Sequence, residues 1–476
     1  MVMGDMRIKT DLLVVGAGPG GYAAAFRAAD LGLDVTMVDL LEKPGGVCLH
    51  RGCIPSKTLL QLSTLIQDAR RAEGMGVRFG TPDIDLERIR AWRQAVIDKL
   101  AGGLVSLTNQ RNIQFFKGKV MFESPTEAKV FDSEISRIRF GKAIIATGSS
   151  PISILGAEFG KNQRIISSAG ALELSEIPKT LLIVGGGYVG LEMGTLYAAL
   201  GSRITLLEQE VRLLPGIDPD LVEPLGRRLK KLFGAIHVNC TLTALSESES
   251  DVSATWQDPS GAQSASFERV LLSVGRRPNT ANLGLESAGV PLDTNGFICV
   301  DRQQRTANGN IYAVGDVTGG VQLAHKATRE GKVAAEVIAG KTTQFDVRAM
   351  PAVIFTDPQI AWCGLTEMAA KAAGANVQVV RFPWKFSGRA QSMGATEGLT
   401  KLLIDGESGR ILGAGICGRE AEGLVGEAVL AIEMGALAED MALSVHPHPT
   451  LSETEGEVAE IFLGSATHTL PKKRKP

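Results

Sequence analysis

One arrangement occurs twice in this chain at the same spacing: an apolar strand, a glycine turn, a helix, a second strand and an acid. The first copy runs from Asp11–Val15 through Gly16-Ala17-Gly18-Pro19-Gly20-Gly21 and the alanine-rich segment Tyr22–Leu31. It continues in a run from Asp34 to Val38 that ends at Asp39. The second runs from Leu181–Val184 through Gly185-Gly186-Gly187-Tyr188-Val189-Gly190 and a helical stretch to Leu200, then Arg203–Leu207 ending at Glu208. Glycine to acid is 23 positions in both copies, a distance that two accidental glycine clusters have no reason to share. Glycines at 16, 18 and 21, and again at 185, 187 and 190, allow a tight turn, close approach of backbone N–H groups to a pyrophosphate, and close packing of helix on sheet. The helix N-terminus then faces the phosphates, and the acid can accept hydrogen bonds from an adenosine ribose. A lone glycine turn is often only a turn. The repeat, in register with strands and acids, predicts two dinucleotide-binding units. Glu208 favours a free ribose 2′-hydroxyl over a 2′-phosphate, so NAD is expected at the second unit; Arg203 and Arg212 leave some NADP use open.

Directly after the first unit comes GGVCLHRGCIPSK, residues 45–57, in which four residues separate Cys48 from Cys53. About one helical turn between them brings the sulfurs into bonding range, provided the Cα atoms come within ~7 Å. A loop this short removes little unfolded-chain entropy, so stabilisation is a poor reason for a bridge and redox chemistry a better one. A bare CxxxxC is equally compatible with incidental thiols; its position shifts the balance. A flavin can take two electrons from a thiolate and pass hydride to NAD, which accounts for two nucleotide sites beside one disulfide. Lys57 follows Cys53 closely enough for its charge to favour thiolate over thiol, and Glu192 in the second glycine helix is its candidate buried partner. Arg51 either lowers a neighbouring thiol pKa or points to solvent.

The remaining signals are weaker one by one. Ala146-Thr147-Gly148, Val274-Gly275-Arg276-Arg277-Pro278 and Asn310–Val314 running into Gly315-Asp316 each read as a strand ending in a turn. Thr147, Gly148, Gly275, Arg276, Gly315 and Asp316 are candidates for cofactor contact, although a Gly-Asp turn commonly serves only as a turn. Residues 341–476 change character: strand-like runs at 352–356, 377–382, 399–404 and 411–417 precede a helical stretch at 422–434, as in a separate α+β domain. Near its end stands His446-Pro447-His448-Pro449-Thr450-Leu451-Ser452-Glu453. The prolines bias each preceding histidine toward extended backbone, giving a stiff loop. An imidazole there can take a thiol proton near neutral pH if a carboxylate fixes its tautomer. Glu453 is that candidate, and it fits equally well as the last member of a helix capping box.

Composition excludes other classes. A net charge of −2 offers no global attraction to nucleic acid, and no apolar run in the 476 residues approaches a membrane span. The N-terminus lacks the pattern of a secretory signal, because the apolar run from Leu12 leads into glycines. Six cysteines over this length make no disulfide scaffold, and with six mostly isolated histidines no metal cluster is expected. A soluble, cytoplasmic protein is expected.

The redox loop, HPHPTLSE, both glycine fingerprints, and ATG, GRRPN and AVGD in this order resemble the FAD-dependent pyridine nucleotide–disulfide oxidoreductases over essentially the whole chain. The resemblance implies an α/β fold of two Rossmann-like domains, for FAD and NAD, with a C-terminal α+β dimerisation domain. The expected segments are 1–149 and 278–346 for FAD, 150–277 for NAD and 347–476 for the interface. It implies Cys48 as the thiol facing substrate, Cys53 as the thiol beside flavin, His448 as base, Glu453 as its partner and His446 as structural. Lys57 and Glu192 would pair near the flavin, Asp316 would hold its ribityl or phosphate region, and Tyr188 would cover it until NAD enters. The implied activity is oxidation of a protein-bound dihydrolipoyl group with NAD+ as acceptor. The implied assembly is a homodimer whose base comes from the other subunit, serving a lipoyl-bearing acyltransferase or a glycine cleavage carrier protein. An NADP-linked glutathione reductase is disfavoured by Glu208, and mercuric reductase by the lack of cysteines after Cys417; a non-catalytic flavoprotein subunit is disfavoured by the intact Cys48, Cys53 and His448. Three positions depart from the family pattern: Asp39, usually glutamate, and His50 and Arg51, usually asparagine and an aliphatic residue. The basic tail Lys472-Lys473-Arg474-Lys475 reads as a solvated end, with nuclear import the minor alternative.

Overall fold

The computed structural model describes residues 6–470, so the basic tail lies outside the described residues. The two predicted units fold into two sheets that share a core of parallel strands in matching order; the first is seven-stranded, with Glu127–Phe131 and Lys119–Ser124 added antiparallel beside Arg137–Ile145. In the first, the order is Gln114–Lys117, Val35–Asp39, Arg7–Val15, Arg137–Ile145 and Ile311–Ala313. In the second it is Ala235–His237, Arg203–Leu207, Thr180–Val184, Arg269–Leu272 and Ile165–Ile166. Leu12, Leu13, Val14, Leu181, Leu182 and Ile183 are wholly buried on successive positions. Such continuous apolar runs suit central parallel strands covered on both faces.

Each leading strand feeds a glycine turn and a helix, Pro19–Asp30 in the first unit and Tyr188–Leu200 in the second. The first helix packs on Ala324–Ile338 so closely that a Cβ on Gly331 would lie 2.3 Å from the Gly20 carbonyl oxygen. The second is buried from Gly190 to Leu200, because the long helix Cys53–Ala72 covers the side that its own sheet leaves open. The Ser63 hydroxyl donates to the Thr195 carbonyl at 3.3 Å and Arg70 to that of Ala199 at 3.2 Å. The segment that carries Cys53 is therefore clamped between the two units.

The chain crosses between units in a ribbon, Ser149–Pro151 antiparallel to Arg276–Pro278. An antiparallel meander, Thr241–Glu247, Val252–Asp258 and Gly261–Phe267, seats Val252, Ala254 and Trp256 on the second sheet.

The C-terminal region is a five-stranded antiparallel sheet in the order Ala352–Ile354, Gln359–Gly364, Ile411–Gly418, Leu399–Asp405, Val377–Pro383. The helices Ala421–Met434, Ala438–Leu443 and Glu453–Leu463 pack against it. Lys401 ties this region to the second unit: its Nζ, 1 % exposed, meets Asp218 at 2.7 Å, Asp220 at 2.8 Å and Glu367 at 2.7 Å. These carboxylates lie close enough together to hold a metal ion, but the ammonium already stands among them. Among the described residues no helix is long and apolar enough to cross a membrane.

Candidate active site

The turn after each leading strand is built alike. Gly16 and Gly185 have φ of +99° and +106°, and a Cβ on either would lie within 2.5 Å of a backbone oxygen of the facing strand end, Ala146 or Ser273. Gly21 and Gly190 lie against Gly16 and Gly185, where a Cβ would come within 2.1 Å of the carbonyl oxygen. The middle glycines are different. A Cβ on Gly187 would meet nothing within 4 Å, and one on Gly18 only the Gly46 Cα at 3.8 Å. Protein packing does not require glycine there, and the open space leaves room for a phosphate to approach the helix N-terminus. The acids also match. Asp39 accepts from the amides of Ala17 (2.6 Å) and Leu41 (2.8 Å), and Glu208 from those of Gly186 (2.6 Å) and Glu210 (2.7 Å). Burial pushes the Asp39 carboxyl up, against those two amides and the charges of His50 and Arg51.

A cavity of about 820 Å³ starts at the first turn and runs to the second unit. Gly16, Gly18 and Asp39 line one end; Cys48, Cys53 and Lys57 line its wall. Thr147, Gly148, Arg276, Gly315 and Asp316 lie along it, and Tyr188 and Glu192 close the far end. Asp316 belongs to a relay in which Arg276 Nε donates to the Ser149 hydroxyl at 2.7 Å and that hydroxyl donates to Asp316 Oδ2 at 2.5 Å. Thr147 and Asn279 exchange hydrogen bonds of 2.7 and 2.9 Å. The Gly315 amide donates to buried Glu330 at 2.7 Å, and Glu330 pairs with Lys326 at 2.8 Å. Asn279 closes the GRRPN motif, whereas Ser149 and Glu330 carry no motif of their own, and only tertiary contact reveals them. Gly275 supports the ribbon, with φ of +114°.

The redox loop folds as two helices, Gly46–Arg51 and Cys53–Ala72, broken at Gly52. Cys48 and Cys53 face each other as thiols across this break, close enough for a hydrogen bond. That bond lowers the Cys53 pKa to about 7 against the opposing effect of burial, with the Lys57 ammonium assisting. The same bond, then burial, pushes Cys48 up. Lys57 Nζ meets Glu192 Oε2 at 2.9 Å. Glu192 is 3 % exposed and also accepts from the Phe355 amide at 3.0 Å, while the Phe355 ring lies 4.4 Å beneath the ammonium. Phe355 comes from the C-terminal sheet and is a member of the pair that sequence reading did not single out. Arg51 is exposed, and its charge acts on Asp39, whereas the cation beside both sulfurs is Lys57.

His448 and Glu453 stand elsewhere. Among the described residues none beyond Ala327 lines the cavity, so one chain does not bring the C-terminal pair to its own cysteines. His448 Nδ1 lies 2.8 Å from Glu453 Oε1, and Glu453 Oε2 accepts from the Thr450 amide at 2.7 Å. The carboxylate orients the imidazole and ties down the Thr450 amide just ahead of the helix, while the N-cap position, Ser452, makes no side-chain cap. Burial raises the Glu453 pKa less than the Thr450 amide and His448 lower it, for a net depression. His446 Nε2 is bound to Glu427 at 2.9 Å and packs into the fold.

A thiol pair with one depressed pKa, set between two dinucleotide cradles, defines a dinucleotide-dependent disulfide oxidoreductase. Residues 10–331 match the pyridine nucleotide-disulphide oxidoreductase family and residues 350–459 its dimerisation domain; the chain belongs to this family. It is 43 % identical over 471 residues to the dihydrolipoyl dehydrogenase of Vibrio cholerae, covering 98 % of both chains. To that of Geobacillus stearothermophilus it is 42 % identical over 473 residues, 99 % of this chain and 100 % of the relative. Among solved structures it resembles LpdA from Mycobacterium tuberculosis, with a TM-score of 0.86, 25 % identity and coverage of 96 % and 99 %. It also resembles the HOCl-induced flavoprotein disulfide reductase RclA from Escherichia coli, with a TM-score of 0.83, 26 % identity and coverage of 94 % and 99 %. FAD is the cofactor that the family implies, and the dimerisation domain supports a homodimer.

Proposed function

We propose that this protein is a dihydrolipoyl dehydrogenase, oxidising a protein-bound dihydrolipoyl group to the disulfide with reduction of NAD+ to NADH. The observation that carries this reading is the depressed Cys53 thiol beside the Lys57–Glu192 pair, in a cavity continuous with the first glycine turn. Full-length likeness to dihydrolipoyl dehydrogenases supports the substrate.

The steps belong to the side chains. His448 of the partner subunit, oriented by its glutamate, takes a proton from a dihydrolipoyl thiol. The thiolate attacks Cys48 Sγ of the Cys48–Cys53 disulfide, and Cys53 leaves as a thiolate, the form that the Lys57 ammonium favours; the Cys48 hydrogen bond adds to this only once Cys48 is itself released as a thiol. The second substrate thiolate displaces Cys48, closing the lipoyl disulfide and leaving both cysteines reduced. FAD bound in the first cavity supplies two-electron transfer from the dithiol to NAD+. Gly18, the Pro19–Asp30 N-terminus and Asp39 would hold its diphosphate and ribose, and Asp316 the chain nearer the cysteines. The second turn and Glu208 would hold NAD+, with Tyr188 between the two. The exposed position of His448, together with exposed Leu430, Met434, Leu443 and Val445 around its loop, supports assembly across this face. A lipoyl-bearing acyltransferase or glycine cleavage carrier would present the substrate.

The test is NAD+ reduction by dihydrolipoamide, measured beside NADH- or NADPH-driven reduction of glutathione disulfide. Turnover of the first alone supports the proposal. Turnover of the second alone keeps the family and replaces the substrate.

A further inference from the structure

Glu455 stands two residues after Glu453 on the helix Glu453–Leu463 and faces the opposite way, into the C-terminal core. It is 1 % exposed, and neither carboxyl oxygen has a hydrogen-bond partner among the described residues. A carboxylate stripped of both water and donors cannot stay ionised, so such a group holds its proton. Burial, reinforced by the charge of Glu427, pushes its pKa up to about 9.

The groups around it come from every packed element. Cys363 on the strand Gln359–Gly364 is pushed up to about 12 by burial and then by Glu455. Glu427 on the helix Ala421–Met434 holds His446 Nε2 at 2.9 Å. The His446 ring in turn lies against the turn that carries Glu455: a Cβ on Gly456 would be 3.1 Å from its Nδ1. On its own helix, Glu453 holds His448 at 2.8 Å. Glu455 is thus an acid buried beside the Glu427–His446 pair and two residues along the helix from the Glu453 that holds His448, both histidines belonging to the loop 446–453.

We propose that Glu455, in its neutral form, is a positioning residue for His448: it lets the helix Glu453–Leu463 seat against Glu427 and His446, and its ionisation unseats the loop that presents the imidazole. Ionised, it sets a like charge beside Glu427 and competes for His446, and the two anions cannot share that pocket. The full burial of Glu455 within one chain means that the effect needs no group from the partner subunit. The link to catalysis rests on the reading of His448 as base.

The experiment compares the wild-type holoenzyme with Glu455→Gln and, as an apolar replacement that fills the same space, Glu455→Leu. Melting temperature and kcat/KM for dihydrolipoamide are measured from pH 5 to 10. The folded-state pKa lies above that of the unfolded chain, so the stability conferred by the protonated acid is fully present below the ordinary glutamate range. It is lost as pH rises toward about 9. The unfolding constant of wild type relative to Glu455→Gln therefore rises about tenfold per pH unit across that window and then levels. Wild-type kcat/KM falls on the alkaline side with a midpoint near 9, and neither variant shows that fall. Identical melting profiles in wild type and Glu455→Gln overturn the protonated state. A melting difference with an unchanged activity profile overturns the positioning role. No dihydrolipoamide turnover in any form overturns the substrate reading and the link to His448, while the melting comparison still decides the state of the acid.

Discussion

At Gly16 and Gly185 the chain makes the same turn, with φ of +99° and +106°, and at Asp39 and Glu208 the carboxylates bind equivalent pairs of backbone amides. What lies over the turns differs. Gly46 of the redox helix presses on the first, where a Cβ would sit 2.5 Å from the Gly18 Cα, while nothing lies within 4 Å of a Cβ on Gly187. One cradle is roofed by the segment that does the sulfur chemistry, and the other is open. A roofed cradle suits a group that stays, and an open one a carrier that arrives and leaves each turnover. On this account two similar glycine turns are expected to hold their ligands for different times, set by the neighbouring segment. The units are also anchored differently: the first grips its neighbour through the helix Cys53–Ala72, the second grips the C-terminal sheet through buried Lys401.

The sharpest challenge to this division removes the chemistry and leaves both cradles. Cys48→Ser is expected to lower dihydrolipoamide oxidation by about a thousandfold or more with flavin content unchanged; loss of flavin as well would mean that the roof and the chemistry cannot be separated. Lys401→Met removes the buried cation shared by Asp218, Asp220 and Glu367, leaving Arg381 on the last two, and is expected to destabilise the protein by roughly 3 kcal/mol, read by denaturant unfolding. Bound FAD should then protect the first unit longer than the second. A pair of small substitutions tests the roof itself. Gly46→Ala forces a Cβ against Gly18 at φ of +59° and should release FAD on dilution. Gly187→Ala has room in the free protein and should keep its flavin and melting temperature while raising KM for NAD+ about tenfold, because the methyl occupies the phosphate approach. Equal flavin loss in both would erase the distinction. The smallest effect is electrostatic: Lys57→Met removes a cation that lowers the Cys53 pKa, so thiolate formation should move to higher pH by about one unit. The pH dependence of long-wavelength thiolate-to-flavin absorption reads that shift.

Much of this was legible in the chain. The repeat located both central strand pairs to within a few residues, because parallel strands buried on both faces leave uninterrupted apolar runs between glycines and acids. The meander from Thr241 to Phe267 was not, since its strands mix serine, threonine and alanine with a largely exposed face. The strand Gln359–Gly364 is not legible in the sequence either. For Glu453 the sequence fits orienter and cap equally well; one oxygen meets His448 and the other the Thr450 amide, while the helix N-cap is Ser452, without a side-chain cap. Glu455 could not have been found, because an acid in the first turn of a helix is what the helix dipole favours on a surface. Only tertiary packing shows that it is buried. Lys401 is equally silent in sequence, with partners 34, 181 and 183 positions away.

The measurement closest to the central claim is an anaerobic mixing experiment in two stages. Purified holoprotein receives dihydrolipoamide while its visible spectrum is followed, and NAD+ is added afterwards. The account predicts a long-wavelength thiolate-to-flavin band in the first stage, and in the second its decay with formation of NADH. No band with dihydrolipoamide, in a protein whose flavin is reduced by NADH and whose band forms on that route, would contradict the assignment of the Cys48–Cys53 pair to a dihydrolipoyl substrate.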